Sequence, residues 1–293
     1  MTNNSTPIVG LFDINDYRDM VHVVHQALNL PEEEILRCLS QEILETGSNV
    51  ARTAKTFGVI PHVYNKQMQE FYEHTNAFVF ELLITHLSRF CQIIDGRITG
   101  VIRGLFNERR DLQILVLGDG IGTDSLRFAA MGYNVTYFEF KGCSSAVAVY
   151  RFLRQGFTSR ITVIHKIEEL PVRKFDVVIC REVLEHVNNP VSVIENIWKY
   201  LKNDGIAIIT ESFNRIDPAF PTHLIDNVKY DGKMEYLFVK AGFRFLESFP
   251  VKKPMVFQKT KKVDLLRFLS LCHYFILVIK KYTKRHLFRF IRF

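Results

Sequence analysis

Cysteine is sparse in this sequence. Its five residues (Cys38, Cys91, Cys143, Cys180, Cys272) are scattered without short paired spacing, which argues against a disulfide framework or a cysteine zinc site. No apolar run approaches the twenty or so residues a spanning helix needs. The opening MTNNSTPIVGLFDIND lacks the basic and apolar blocks of a signal peptide. These absences set the expectation of a reducing, cytoplasmic compartment. Internal repeats and low-complexity linkers are missing as well. What remains is ordinary globular composition, 47% hydrophobic and 24% charged over 293 residues, ample for a buried core.

Negative charge is in deficit, but unevenly. Ten Lys or Arg and one acid, Asp264, lie between Lys259 and Phe293, so that stretch carries +9 and the rest is slightly acidic against a total of +7. A near-neutral body with a basic end is not the profile of a fold that grips nucleic acid throughout, and no nucleic-acid partner is expected.

Three parts follow from the patterning. Residues 1–109 read as a helical cap or extension. INDYRDMVHVVHQALNL and PEEEILRCLSQEILETG space apolar residues by three and four, and MQEFYEHTNAFVFELLITHLSRFCQII reads as a longer helical stretch broken near Thr75. From 110 to 260 short Val- and Ile-rich runs (QILVLG, NVTYFEF, RITVIH, FDVVIC, GIAIITES) alternate with helical segments, as parallel strands buried on both faces do. FRFLESF and PMVFQKT add an antiparallel hairpin at the edge. The expectation is an α/β fold: a doubly wound, seven-stranded, mostly parallel sheet. Residues 261–293 form a basic amphipathic tail.

In QILVLGDGIGTDSL, Gly118, Gly120 and Gly122 follow the first strand at its carboxyl end, where doubly wound sheets bind ligands. Bare backbone there can turn sharply and approach a ligand closely. About twenty residues on, the next strand ends at Glu139, placed to accept hydrogen bonds from ribose hydroxyls. Loop and acid together point to a nucleoside, and do not separate NAD from S-adenosylmethionine.

FDVVICREVLEHVNNPVSVIENIWKYLKNDGIAIITES, Phe175 to Ser212, resembles the fourth- and fifth-strand region of class I S-adenosylmethionine-dependent methyltransferases, nearest their small-molecule O-methyltransferases. The resemblance implies that the three glycines face the methionine part, that Glu139 holds the ribose and that His165 to Glu168, with Ile167, line the adenine. Arg181 and Glu182 would open onto the cofactor. Two positions depart from the family pattern. Val116 stands where an acid is common two residues before the first glycine, and Lys166 stands on the adenine side; Asp119 is the nearest substitute acid.

Methyl transfer to a hydroxyl needs positioning and a base. His186 in Glu185-His186, just beyond strand four, and His223 in FPTHLIDN are the candidates, against packing and surface roles. Glu182, Glu185 and His186 spell E-x-x-E-H, which could ligate a divalent ion, but helix-start carboxylates explain the acids more simply and no metal is expected. Tyr64 or Tyr72 in the cap can meet the acceptor or belong to the core. The tail, with a twelve-residue apolar run, suits an anionic membrane surface or a docked helix, including one in a homodimer. Two other readings stand beside a small-molecule methyltransferase. One is a methyltransferase-like protein kept for binding, favoured by Val116 and Lys166. The other is a nicotinamide-dependent oxidoreductase, disfavoured because the third glycine follows the second by two residues.

Overall fold

The computed structural model describes residues 8, 10–107, 109–248 and 254–260; the tail expected at 261–293 lies outside them. Six helices come first: α1 (Tyr17–Leu28), α2 (Glu32–Leu44), α3 (Ser48–Thr56), α4 (Lys66–His74), α5 (Ala77–Leu87) and α6 (Arg89–Phe106). Side-chain caps set several starts, with Asp16, Asn65 and Ser88 accepting from the backbone N–H three residues on. The long helical stretch is broken at Thr75, as its sequence suggests. Thr75 is extended and its Oγ1 accepts the Ala77 N–H at 3.1 Å. A second break at Ser88 was not expected. The α5–α6 pair is bent by 76°, and no single described helix is long and apolar enough to cross a membrane.

The α/β part runs β1 (Gln113–Leu117), α7 (Thr123–Ala130), β2 (Asn134–Phe138), α8 (Cys143–Arg154), β3 (Ile161–Ile164), β4 (Phe175–Arg181), α9 (Pro190–Tyr200), β5 (Leu201–Thr210), α10 (Met234–Ala241), β6 (Phe243–Ser248) and β7 (Met255–Lys259). The sheet order is β3-β2-β1-β4-β5-β7-β6, parallel through β5 and antiparallel where β7 inserts between β5 and β6. All seven expected strands are present in the expected α/β architecture. LKN, which reads as the end of the helical segment PVSVIENIWKYLKN, instead begins β5: Leu201 pairs with Phe175 before the register slips ahead of Val177.

Alternate residues of each strand feed two cores. Ile114, Val116, Val177 and Ile179 face α6, α7 and α8, whereas Leu115, Leu117, Val178 and Cys180 face α9 and α10. Because α6 contributes Ile94, Ile98 and Ile102 to the first core, packing is continuous across the expected 109/110 boundary. Helices α1, α2 and α5 form a further layer on Ile121 and Val147, so the cap sits directly on the glycine loop and α8. The chain leaves β1 toward β2 and β3 on one side and returns to β4 on the other. Adjacent β1 and β4 therefore mark the reversal where ligands bind at the carboxyl ends.

Candidate functional site

Between β1 and α7 the chain turns through three left-handed glycines, Gly118, Gly120 and Gly122, at φ 71°, 53° and 77°. The loop is fastened from several directions. The Gly118 N–H donates to the Phe138 carbonyl at 2.9 Å, and the Tyr137 hydroxyl donates to the Gly120 carbonyl at 2.6 Å. Arg151 Nη1 donates to the Ile121 carbonyl and to Thr123 Oγ1. A Cβ at Gly122 would stand 2.6 Å from the Phe152 ring, so the glycine there also permits the close packing of α8.

Glu139 follows β2 immediately. Its Oε2 accepts the Gly120 N–H and its Oε1 accepts the Phe140 N–H, each at 2.9 Å. The acid thus ties the tips of two neighbouring strands together. Burial raises its pKa against these two bonds. His165 Nδ1 lies 2.8 Å from the Glu139 carbonyl, which joins the β3 tip to the same edge, and Ile167 is half-buried just beyond. A groove of about 490 Å³ borders Lys141, Gly142, Ser145 and His165.

Two expected cofactor residues are spent elsewhere. Asp119 accepts the backbone N–H groups of Asp124 (3.1 Å) and Ser125 (2.7 Å), covering the open start of α7. Burial, then the nearby Asp124 charge, push its pKa up to about 7. Arg181 does not open onto the crevice. Its Nη1 lies 2.8 Å from Asp95 and 2.7 Å from Asp124, and with Arg127 these acids form a nearly buried ion cluster joining α6, α7 and β4. Glu182 is exposed at the β4 tip, in a left-handed conformation (φ 48°) that a non-glycine residue rarely holds, and its carboxylate accepts the Ser212 hydroxyl.

The two histidines meet. Their rings cross edge to face, centroids 4.6 Å apart, although β5 and α9 separate them in sequence. His223 is buried rather than exposed on its loop, and its Nδ1 has no hydrogen-bond partner among the described residues. His186 Nδ1 lies 3.0 Å from the Tyr72 hydroxyl and 3.2 Å from the Thr222 carbonyl. A carbonyl only accepts, so that contact calls for the proton on Nδ1, which leaves the lone pair on Nε2. Desolvation lowers the pKa of His186 to about 4 and that of His223 to about 3, the latter helped by the neighbouring His186. Both imidazoles are neutral at pH 7.

The surroundings hold this arrangement. The His62 backbone N–H donates to the Pro221 carbonyl at 2.7 Å, and its ring Nδ1 lies 2.8 Å from the His223 carbonyl. Asn227 Nδ2 donates to the Leu184, Glu185 and Val187 carbonyls. Tyr72 belongs to the site, while Tyr64 stays exposed. Glu182 and Glu185 are not helix-start acids, because α9 begins only at Pro190, capped by Asn189. Buried Glu185 and His223 and half-buried His186 bring donor atoms within 4.8 Å of one another. Such a set of one carboxylate and two imidazoles could hold a first-row transition ion, and Glu182 of the E-x-x-E-H pattern is not part of it. Sequence reasoning missed Tyr72 as a certain partner of His186, since 114 residues separate them.

Residues 115–209 match the methyltransferase-domain family. The ubiquinone biosynthesis O-methyltransferase of Rickettsia canadensis (strain McKiel) is 37% identical over 117 residues, 39% of this chain and 48% of that protein. The protein of the same description from Rickettsia prowazekii (strain Madrid E) is 36% identical over 121 residues, 41% of this chain and 47% of that protein. The chain thus spans about half the length of these relatives. A crystal structure of a SAM-dependent methyltransferase from Aquifex aeolicus is 15% identical, with a TM-score of 0.43, covering 53% of this chain and 86% of that one. The matched segment runs from β1 through β5, so the glycine loop, Glu139 and the β4 tip all lie within a methyltransferase-family domain.

Proposed function

We propose that this protein transfers a methyl group from S-adenosylmethionine to a hydroxyl oxygen of a small-molecule acceptor. The observation that carries the reading is the neutral His186–His223 pair beside the carboxyl ends of β1 and β4, next to a glycine loop fastened to Glu139. The residues present fit the cofactor's nucleoside. Each Glu139 oxygen accepts one backbone N–H and keeps a further lone pair, and no ion pair engages it among the described residues.

The chemistry supplied by bound S-adenosylmethionine is a methyl carbon already activated by its sulfonium. The chain's own work is positioning, proton removal and exclusion of water. His186 is neutral and oriented through Nδ1, so its Nε2 lone pair takes the acceptor's hydroxyl proton. Tyr72 and the Thr222 carbonyl hold that ring. Phe220 and His223 wall the loop side, with centroids 5.4 Å apart. From the cap, Phe78 stacks flat on Tyr72 at 5.0 Å and Leu82 covers Gly120, closing the crevice from above.

Calorimetry with S-adenosylmethionine, S-adenosylhomocysteine and NAD tests the reading, followed by radiolabelled methyl transfer to fractionated metabolites. Micromolar binding of the first two, none of NAD, and transfer lost in His186→Ala support it. Binding of NAD alone makes the chain an oxidoreductase, and binding of none makes it a methyltransferase-like binding protein. From sequence alone, the same proposal sets residues 261–293 against an anionic membrane surface in the cytoplasm. Co-sedimentation of the full chain with anionic but not neutral vesicles is the expected result, and equal recovery with both overturns it.

A further inference from the structure

Helix α5 turns one face toward the glycine loop. Phe78, Glu81 and Leu82 stand at i, i+3 and i+4, the spacing that gathers side chains on one side of a helix. Phe78 lies on Tyr72, which reaches His186, and Leu82 Cδ1 comes within 2.5 Å of where a Gly120 Cβ would be. Glu81 lies between these two anchors, on the face that roofs the crevice. Three groups from other elements act on it or feel it: the Glu42 carboxylate of α2, Arg215 of the loop after β5, and the Tyr72 hydroxyl of α4. No hydrogen bond or ion pair engages its carboxylate among the described residues.

The other acids around the loop are already committed. Asp119 closes the start of α7, and Glu139 binds the Gly120 and Phe140 N–H groups. Val116, two residues before the first glycine, is apolar and buried in the sheet core. A half-buried carboxylate over this crevice calls for a cation. The cofactor of the proposed reaction carries two, a sulfonium and an α-ammonium, and only the ammonium has N–H groups to donate.

We propose that Glu81 accepts a hydrogen bond from the α-ammonium of S-adenosylmethionine, so that the amino-acid end of the cofactor is held by the cap rather than by the sheet. The claim rests on the methyltransferase reading, and the test separates the two. S-adenosylhomocysteine carries the α-ammonium, and 5′-methylthioadenosine shares its nucleoside but lacks the amino acid. Calorimetry on the full chain should show that Glu81→Gln weakens S-adenosylhomocysteine binding by about ten- to hundredfold, as loss of a charged hydrogen bond does, and leaves 5′-methylthioadenosine unchanged. Glu81→Asp should recover part of the loss. Unchanged S-adenosylhomocysteine affinity, or an equal loss for both ligands, overturns the role of Glu81 while the methyltransferase reading stands. Failure of the unaltered protein to bind either ligand overturns both.

Discussion

Glu139 follows β2 and Glu81 lies on α5, and their environments set them different tasks. Glu139 is bonded to two backbone N–H groups and belongs to the frame of the site. Glu139→Ala should weaken S-adenosylhomocysteine binding by roughly 1.5–3 kcal/mol, the loss expected for charge-assisted hydrogen bonds, while the chain remains folded. Titration calorimetry beside a thermal melt checks this, and unchanged affinity in a folded variant removes the acid from the site. Glu81 is pushed from 4.5 to about 7, first by burial and then by Glu42. A carboxyl that holds its proton more tightly folded than unfolded contributes stability below its ordinary pKa and loses it as pH rises through 7. Relative to the unaltered chain, Glu81→Gln should therefore grow more stable from pH 4.5 to 7.5. Urea midpoints of the two proteins across that range should diverge, and parallel curves would contradict the burial of this acid. Such apo-state cost is common where a site awaits its ligand.

At the scale of elements, the site is a joint between the α3–α4 connection and the loop after β5. His62 ties them through its N–H to Pro221, its carbonyl to the Ile225 N–H and its ring to the His223 carbonyl. His62→Ala removes only the ring contact. It should speed hydrogen exchange at residues 221–225 by several-fold, leaving the sheet amides protected, as loss of a local contact does. Uniform acceleration across the sheet would mean that His62 acts on global stability instead. These elements differ in how far their sequences announced them. The break at Thr75 was legible because a short polar residue interrupts the apolar spacing, while the break at Ser88 was hidden inside a continuous helical period. The strands were legible from their apolar runs. The start of β5 at Leu201 was not, because LKN continues the helical spacing of PVSVIENIWKYLKN until Leu201 finds Phe175.

Across the whole molecule, the cap and the sheet share their interior. Arg151 of α8 and Asp13 ahead of α1 form an ion pair with no exposure on either side chain, with bonds of 2.9 and 2.7 Å. The same guanidinium holds the Ile121 carbonyl, so the chain's early segment is linked to the glycine loop through one residue. Arg151→Ala leaves a buried carboxylate without its counter-charge and should cost about 3–5 kcal/mol. Urea denaturation measures the loss, and a change under 1 kcal/mol would show that Asp13 can reach water. At the end of β7, Lys259 heads the basic stretch in sequence yet is buried, donating to the Trp198 and Leu201 carbonyls. Lys259 itself therefore adds no free charge to that stretch.

Sequence by itself determined the alternation of strand and helix, the glycine turn after β1 and the acid at the tip of β2. Each is written in residues a few positions apart, where apolar spacing and backbone freedom act locally. Tertiary structure alone decided which side chains meet. Strand order brings His223 to His186, and the cap sets Tyr72 and Glu81 over the loop. The ion cluster with Asp95 and Asp124 draws Arg181 away, and the open end of α7 claims Asp119. These assignments depend on contacts across tens of residues, and buried charge goes to the partner that the packing puts in reach.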